Sequence, residues 1–459
     1  MRGKAWLGKA LGLVVVCVML ALVLARIDGL VSGRLQHAQE ARWSVRQSLA
    51  EAQTVLGPVL QRRCTEQWEL VDEDDKGRVR RSARSASELL SAVPTELKID
   101  GELKPETRYR GLFKVNTYVG SLKVQARWQD SQALQAKARH GGSLSCEDTR
   151  LLLAVSDARG LRSVALKLNG QALQPQPGSG LQLATPQAQA PMAPVEMAHA
   201  AKVSSEGFHA RVGTLAPEQE QRLDMQLDLV GTEGFAWAPA AEDTRMSLSS
   251  AWPHASYGGR FLPVQRDSSA AGFRAEWRVS ALATTAAAEL AGGRPVTDSL
   301  AVELIDPVNP YSLSERAVKY ALLFITLVFV AVALIEVLAS LRVHPVQYLL
   351  VGLAMGIFFL LLLAVSEHLD FARAYALAAA ASCTLLSGYA AALFKRWRAG
   401  AGFGAGVAAL YAALYAVLNL EQTALLMGSL LLFAVLGAVM FATRRIDWYA
   451  LTQRANQAE

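Results

Sequence analysis

The placement of long apolar segments constrains this chain more than any other feature. One such run, without a charge, lies between Lys9 and Arg26. Five more lie at 320–338, 348–365, 371–394, 403–420 and 423–442, and the only charged residues within these five are Glu336 and Arg373. A helix of about 20 apolar residues crosses the roughly 30 Å hydrocarbon core of a bilayer. Because too little chain remains to surround five successive apolar helices in water, the sequence predicts a multi-pass membrane protein with six spans.

The first apolar run has two interpretations. Arg2 and Lys4 form a basic start, and the Val-Leu-Ala sequence at 23–25 resembles a signal-peptide cleavage site. The run is longer than the apolar core of a secretory signal, which is about 7–15 residues. We therefore expect an uncleaved transmembrane anchor over 1–26, with cleavage as the alternative.

The basic residues orient these spans. Lys and Arg cluster before the first span, at 395–398 and at 444–445, whereas the short loops at 366–370 and 419–422 carry acidic residues. Cytoplasmic loops carry an excess of Lys and Arg, so both termini are predicted to be cytoplasmic. The inside segments hold ten Lys or Arg residues against two acidic ones, which accounts for the net charge of +6 and the basic pI. We therefore expect no nucleic-acid partner, since no basic stripe with interleaved aromatic residues remains.

The long segment between the first two spans is rich in strand patterns. Residues 223–229 alternate with period two, and Asn169-Gly170 is a strong hairpin signal. Many short strands with frequent turns favour a sandwich-like β domain. The predicted fold class is a membrane α+β protein. Its parts are an N-terminal transmembrane anchor (1–26), a β-rich outside domain (27–316), a C-terminal five-helix transmembrane bundle (317–443) and a cytoplasmic tail (444–459).

The four cysteines give one candidate disulfide. Cys64 and Cys146 lie in the outside domain, whereas Cys17 and Cys383 lie in spans. An oxidising compartment permits a Cys64–Cys146 bridge, and two separate thiols are the alternative. The chain has no CxxC and no paired Cys/His spacing, so we expect no metal site and no cofactor.

The outside domain offers two candidate motifs but no catalytic signature. The chain lacks GxSxG, SxxK, HExxH and P-loop sequences, so we expect no enzyme. Asp157 and Arg159 follow an apolar strand and could serve function or form a local ion pair in a turn. The cluster Trp252-Pro253-His254 could bind a ligand or pack at the base of a loop.

Two acidic positions in the membrane region are also candidates. Glu336 lies within a span, and a carboxylate there indicates function by default. Its alternative role is to reach the interface or to pair with Arg342. Glu367 and His368 lie at an outer boundary, where the histidine could respond to pH or belong to a hydrated loop.

Several blocks together resemble one family over nearly the whole chain. They are Leu56-Gly57-Pro58, 156–160, Trp252-Pro253-His254, Phe261-Leu262-Pro263, Arg316, Lys319-Tyr320, 344–352, 366–368 and 446–449. These blocks resemble the CreD family of bacterial inner-membrane proteins. The blocks near the membrane add six candidate functional residues: His344, Pro345, Gln347, Tyr348, Asp447 and Trp448.

The resemblance implies a bacterial inner (plasma) membrane location, with the β-rich domain in the periplasm. It also implies control by a two-component system and a link to envelope stress, β-lactam response and colicin tolerance. It implies no known reaction. The expected partners are the lipid bilayer and an envelope protein, peptidoglycan or lipid-linked ligand. The leading hypothesis is a non-enzymatic envelope-integrity protein. The alternatives are a transporter or lipid-handling protein that uses Glu336 and Glu367, and an undetected envelope hydrolase.

Overall fold

The structure, a computed structural model, describes residues 2–73, 79–181, 206–306, 310–338, 343–419 and 424–444. The chain divides into two compact units. The membrane unit comprises Met1–Gln39 and Val308–Glu459, and the β unit comprises Glu40–Pro307. In sequence, the β unit is therefore inserted between the first long helix and the later ones.

Seven α-helices lie in the described residues. They are α1 (Arg2–Ser48), α2 (Ala286–Ala291), α3 (Pro310–Leu338), α4 (Pro345–Ser366), α5 (Phe371–Phe394), α6 (Trp397–Asn419) and α7 (Ala424–Thr443). Five described segments are long and apolar enough to span a membrane: Leu11–Ser48, Pro310–Glu336, Pro345–Ser366, Phe371–Phe394 and Trp397–Asn419. The apolar part of α7, Leu426–Phe441, is shorter. The chain thus has the predicted N-terminal apolar helix and apolar C-terminal helices.

Helix α1 passes the predicted end of the anchor at residue 26. The sequence after Arg26 contains no proline before Ser48 and is rich in Ala, Gln and Arg, so nothing interrupts the helix there. Similarly, α3 begins at Pro310, ahead of the predicted boundary at 316. The boundaries expected from hydropathy therefore differ from those between the compact units, because hydropathy marks the apolar core of a helix and not its ends.

In the described part of the β unit, seventeen strands form two sheets. Sheet A contains β1 (Gln53–Glu73), β2 (Val79–Ala92), β5 (Ser143–Cys146), β6 (Thr149–Val155), β9 (Gln176–Pro177), β10 (Gly207–Gly213), β12 (Gly234–Trp237), β14 (Ala255–Gly259) and β17 (Leu300–Leu304). Sheet B contains β3 (Glu96–Arg110), β4 (Phe113–Trp128), β7 (Leu161–Leu168), β8 (Gln171–Leu173), β11 (Gln221–Thr232), β13 (Asp243–Ser250), β15 (Gln265–Ser269) and β16 (Gly272–Ser280). The order of sheet B is β15-β16-β13-β3-β4-β11-β7-β8.

Local sequence signals produce several of these pairings. The predicted alternation appears in β11, whose side chains are alternately buried and exposed from Gln221 to Leu227. The turn between β7 and β8 uses Asn169 and Gly170 at φ values of 51° and 81°. Both φ values are positive, as a type I′ hairpin turn requires. Strands β1 and β2 pair in antiparallel fashion, and residues 74–78 between them lie outside the described part of the chain.

The core of the β unit lies between the two sheets. Trp128, Trp237 and Trp277 are among its largest fully buried side chains. Each indole N–H donates to a backbone carbonyl, those of Ala92, Gly57 and Phe261 respectively, at 3.0–3.1 Å. Large aromatic rings are thus buried without an unsatisfied donor. A smaller apolar cluster on sheet A includes Leu290 of α2. These observations confirm the sandwich-like arrangement expected for this region.

Candidate functional site

The Asp157–Arg159 motif forms an ion pair at the end of β6. Asp157 is buried, and its carboxylate accepts from Nε of Arg159 at 2.9 Å and from Nη2 at 2.7 Å. It also accepts from the backbone N–H of Glu51 at 3.0 Å. Desolvation raises the pKa of Asp157, but the hydrogen bonds from Arg159 and from the Glu51 N–H outweigh it and lower that pKa. The carboxylate is therefore held in its charged form.

This ion pair fixes the segment that joins α1 to β1. Arg159 also donates to the carbonyl of Gln47. Ser156 Oγ donates to the carbonyl of Ala52 at 2.9 Å and accepts from the N–H of Thr54 at 2.9 Å. We call residues 46–54 together with 156–160 and 232–233 the first junction. Its motif residues contact backbone, which favours the structural interpretation over a ligand site.

A glutamate that the sequence did not single out completes the first junction. Glu233 has a positive φ of 62°. Its carboxylate contacts Arg46, and the Nε of Arg42 lies 3.9 Å from it. The hydroxyl of the preceding Thr232 donates to the carbonyl of Ala50 at 3.1 Å. The spacing of Arg42 and Arg46 on one helix face was the available signal, but it does not identify a partner far away in sequence.

The Trp252-Pro253-His254 motif lies where the chain leaves the β unit. Trp252 Nε1 donates to the carbonyl of Ile305 at 2.7 Å, and the Ile305 N–H donates to the carbonyl of His254 at 3.1 Å. Lys114 Nζ lies 5.4 Å from the centroid of the Trp252 ring and 3.6 Å from Asp306 Oδ2. We call residues 252–254, 305–306 and Lys114 the second junction. Both candidate motifs of the β unit thus hold the points where its chain enters and leaves.

Cys64 and Cys146 form a disulfide between β1 and β5. Two residues further along β1, Glu66 accepts from the N–H groups of Arg139, His140 and Gly142 at 2.7–3.1 Å. The His140 ring stacks on Trp68 at a centroid distance of 4.0 Å. No local sequence signal marks this cluster, because Glu66 lies more than seventy residues before its hydrogen-bond donors.

The environment of Glu66 favours its charged form. Desolvation raises the pKa of Glu66, but the three backbone N–H donors, together with the His140 side chain, outweigh it and lower the pKa to about 2. A carboxylate that accepts several backbone N–H bonds stays ionised well below its usual range. Glu66 therefore fixes the 139–142 loop next to the disulfide.

The candidates Glu336, His344, Pro345, Gln347 and Tyr348 lie where α3 ends and α4 begins. His344 caps α4, with its Nδ1 accepting from the Val346 N–H at 3.3 Å, and Gln347 Oε1 accepts from the His344 N–H at 2.9 Å. Pro345 occupies the first turn, where a missing N–H costs nothing. The buried Tyr348 donates its hydroxyl to Glu336 Oε2 at 3.0 Å. These residues therefore start α4 and give the Glu336 carboxylate a hydrogen-bond donor within the membrane unit. Arg342, the other expected partner of Glu336, lies outside the described residues.

Glu367 and His368 lie at the opposite end of α4. Glu367 Oε1 is 3.2 Å from Nε of Arg34 on α1, and the His368 N–H donates to the carbonyl of Val365. Glu336 and Glu367 are thus separated by the length of α4. The structure does not bring them together. The candidates Asp447 and Trp448 lie outside the described residues.

The open face of sheet B holds a depression of about 420 Å³. Five strands contribute to it, and its polar lining residues are Asp100, Glu102, Ser121, Lys123, Gln226, Asp228, Ser247, Ser249 and Arg274. Short serine side chains alternate across the strands with longer charged ones, so the surface dips between them. Ser163 Oγ donates to Asp228 Oδ2 at 2.6 Å, and hydroxyl donors from Ser163 and Ser121 lower the pKa of Asp228. The described residues contain no group of three or more His, Cys, Asp or Glu side chains that could hold a metal ion.

Apolar helices that precede and follow a two-sheet β unit in sequence define a multi-pass membrane protein with a large inserted domain. The profile described as "Inner membrane protein CreD" matches residues 5–449. The protein of that name from Escherichia coli (strain K12) is 30% identical over 444 residues, which are 95% of this chain and 92% of that protein. The chain therefore belongs to the CreD family of inner membrane proteins.

One solved structure also aligns with part of the chain. It is the M1 zinc metallopeptidase from Deinococcus radiodurans, with 11% identity over 46% of this chain and a TM-score of 0.21. This chain covers 41% of that protein. A likeness at this level carries no argument about fold or activity.

Proposed function

We propose that this CreD-family protein is a non-enzymatic envelope protein whose β unit lies in the periplasm and binds a polar envelope component. The open face of sheet B is the binding surface. The chain crosses the inner membrane six times, with α7 as the sixth span and both termini in the cytoplasm. The basic segments at 395–398 and 444–445 support this orientation.

The observation that carries the proposal is the composition of the depression in sheet B. Serine hydroxyls, carboxylates and cations line it together, and such a surface offers hydrogen-bond donors and acceptors to an extended polar ligand. The described lining contains no aromatic ring and one large apolar side chain, Leu122. This composition favours a hydroxyl- and charge-rich polymer such as a peptidoglycan strand over an apolar ligand.

The two junctions support a second part of the proposal, that the β unit links its ligand to the membrane helices. Polar contacts within the β unit hold both points where the chain enters and leaves it, and these contacts are part-buried at the first junction and exposed at the second. A ligand that changes the conformation of the β unit can therefore also change the first and second junctions, where the chain enters and leaves that unit. This arrangement suits a protein that links an envelope component to its membrane helices.

Co-sedimentation with isolated peptidoglycan sacculi tests the binding surface. Full-length protein in detergent is expected to pellet with sacculi. Ser247→Trp fills the depression and should abolish pelleting, whereas Ala172→Trp, on the exposed strand β8 of the same sheet, should not. If the two variants pellet equally, the depression is not the binding surface. If the wild-type protein stays in solution, peptidoglycan is not the ligand.

The transporter alternative loses its main support. It needs Glu336 and Glu367 in one pathway, but α4 has 22 residues, and a helix of that length separates its ends by about 33 Å. Each carboxylate also has a local partner, Tyr348 and Arg34 respectively.

A further inference from the structure

A cleft in the membrane unit lies between α3 and α6. It has a volume of about 760 Å³. Val328, Ala331 and Ile335 line it from α3, and Gly402, Gly406 and Leu410 line it from α6. The spacings of three and four residues place each set on one face of its helix. The cleft is therefore a groove along two neighbouring helices and is independent of the ligand proposed for the β unit.

Two glycines of α6 keep this groove open. The helix carries glycines at 400, 402, 404 and 406 within its first turns. A Cβ at Gly400 or Gly404 would clash with Ala391 or Ser387, so these two glycines permit close packing of α5 on α6. A Cβ at Gly402 or Gly406 would meet no described atom within 4 Å. Close packing explains the first pair only, and the second pair widens the groove.

The groove is basic at one end and apolar along its length. Arg396 is the charged residue among its described lining residues, and it precedes the first residue of α6. The neighbouring Lys395 and Arg398 are exposed, and Trp397 is 74% exposed with the Arg398 guanidinium 5.7 Å from its ring centroid. Basic and tryptophan side chains together are typical of the level of lipid headgroups.

The length of the groove fits one bilayer leaflet. From Ala399 to Leu410 the lining covers eleven residue steps of α6, or about 16 Å at 1.5 Å per residue. Half of a hydrocarbon core of roughly 30 Å is about 15 Å. An occupant that enters at Arg396 would thus reach the middle of the bilayer.

We propose that this groove binds an acyl chain of an anionic phospholipid, with Arg396 holding the phosphate. The apolar lining matches the chain, the basic end matches the headgroup charge, and the depth matches one leaflet. Basic pockets between transmembrane helices bind acidic headgroups in this way. Because every described lining residue of the groove belongs to the membrane unit, the outcome does not depend on the proposed peptidoglycan site.

Native mass spectrometry of the full chain tests this site. The protein, purified in detergent, is titrated with phosphatidylglycerol or phosphatidylcholine, and the lipid adducts retained per protein are counted. The wild type is expected to retain phosphatidylglycerol about fivefold more strongly, the difference that one basic contact near a headgroup supplies. The Arg396→Gln variant should retain phosphatidylglycerol and phosphatidylcholine equally.

Filling the groove supplies the matched comparison. Gly402→Leu combined with Gly406→Leu should remove the retained phosphatidylglycerol. Gly388→Leu is the control, because Gly388 on α5 also has no described atom within 4 Å of an added Cβ and does not line the groove. Circular dichroism and gel filtration confirm that each variant is folded.

Unchanged lipid retention in the Gly402→Leu/Gly406→Leu variant would overturn the proposal. If this double variant also abolished a dimer that the wild type forms, the groove would instead bind a second copy of the chain.

Discussion

At the scale of single residues, the β unit uses carboxylates to fix loops on strands. Asp157 and Glu66 both accept several hydrogen bonds from backbone N–H groups or from arginine. Neither has the neighbours of a catalytic acid or base, since their partners are donors that stabilise the charged form. Their contribution is therefore expected in stability measurements.

Asp157→Asn should destabilise the β unit by about 1–3 kcal/mol, because it leaves buried hydrogen-bond donors with a poorer acceptor. Asp243→Asn is the matched control. Asp243 pairs with Arg245 at the same spacing of two residues, but its side chain is 32% exposed against 7% for Asp157. Exposed pairs contribute about 0–1 kcal/mol. Urea unfolding followed by tryptophan fluorescence measures the free energy of unfolding of both variants. Equal decreases in this free energy would contradict a special role for the first junction.

The pH dependence of Glu66 has a definite sign. Its pKa in the folded state is about 2, below the ordinary value of 4.5. The stability that Glu66 contributes is therefore fully present above about pH 4.5 and is lost as the pH falls through about 2. Glu66→Gln should lower the urea midpoint at pH 7. The difference in urea midpoint between this variant and the wild type should shrink between pH 4.5 and 2.5. A difference that is constant over this range would show that the charge of Glu66 does not contribute to stability.

At the scale of elements, local patterns predicted strands well and distant partners poorly. The alternation in β11 and the Asn169-Gly170 turn follow from neighbouring residues, so the sequence alone indicates them. The parallel pairing of β1 with β12 joins Gln53 to Phe235, and no local signal encodes such a contact. For the same reason the two candidate motifs were visible in sequence, whereas their role at the junctions was not.

The disulfide is the covalent link between distant elements. Cys64 and Cys146 are separated by 82 residues and join β1 to the four-residue strand β5. Changing both to Ser should lower the free energy of unfolding of the β unit by about 2–4 kcal/mol, since the unfolded chain loses a constraint. Changing Cys17 and Cys383 to Ser, which are free cysteines, should have no such effect. A urea midpoint that is insensitive to the first pair of changes would exclude a stabilising role.

At the scale of the whole molecule, hydropathy and charge predicted the class of protein. Six apolar segments and basic short loops indicated a multi-pass membrane protein, and the match to the CreD family agrees with that class. The same patterns could not locate the start of α3, because polar helical turns precede its apolar core. They also could not reveal the groove beside α6, which depends on which glycines face a neighbouring helix.

The location of the β unit is the central claim, and cysteine labelling in intact cells tests it most directly. Leu282→Cys, at a position that is 99% exposed in the β unit, is placed in a Cys17→Ser/Cys383→Ser background. Arg398→Cys in the same background marks the segment expected in the cytoplasm. The account predicts that a maleimide unable to cross the inner membrane labels position 282 in spheroplasts and labels position 398 only after lysis. Labelling of position 398 but not of position 282 in intact spheroplasts would contradict a periplasmic β unit.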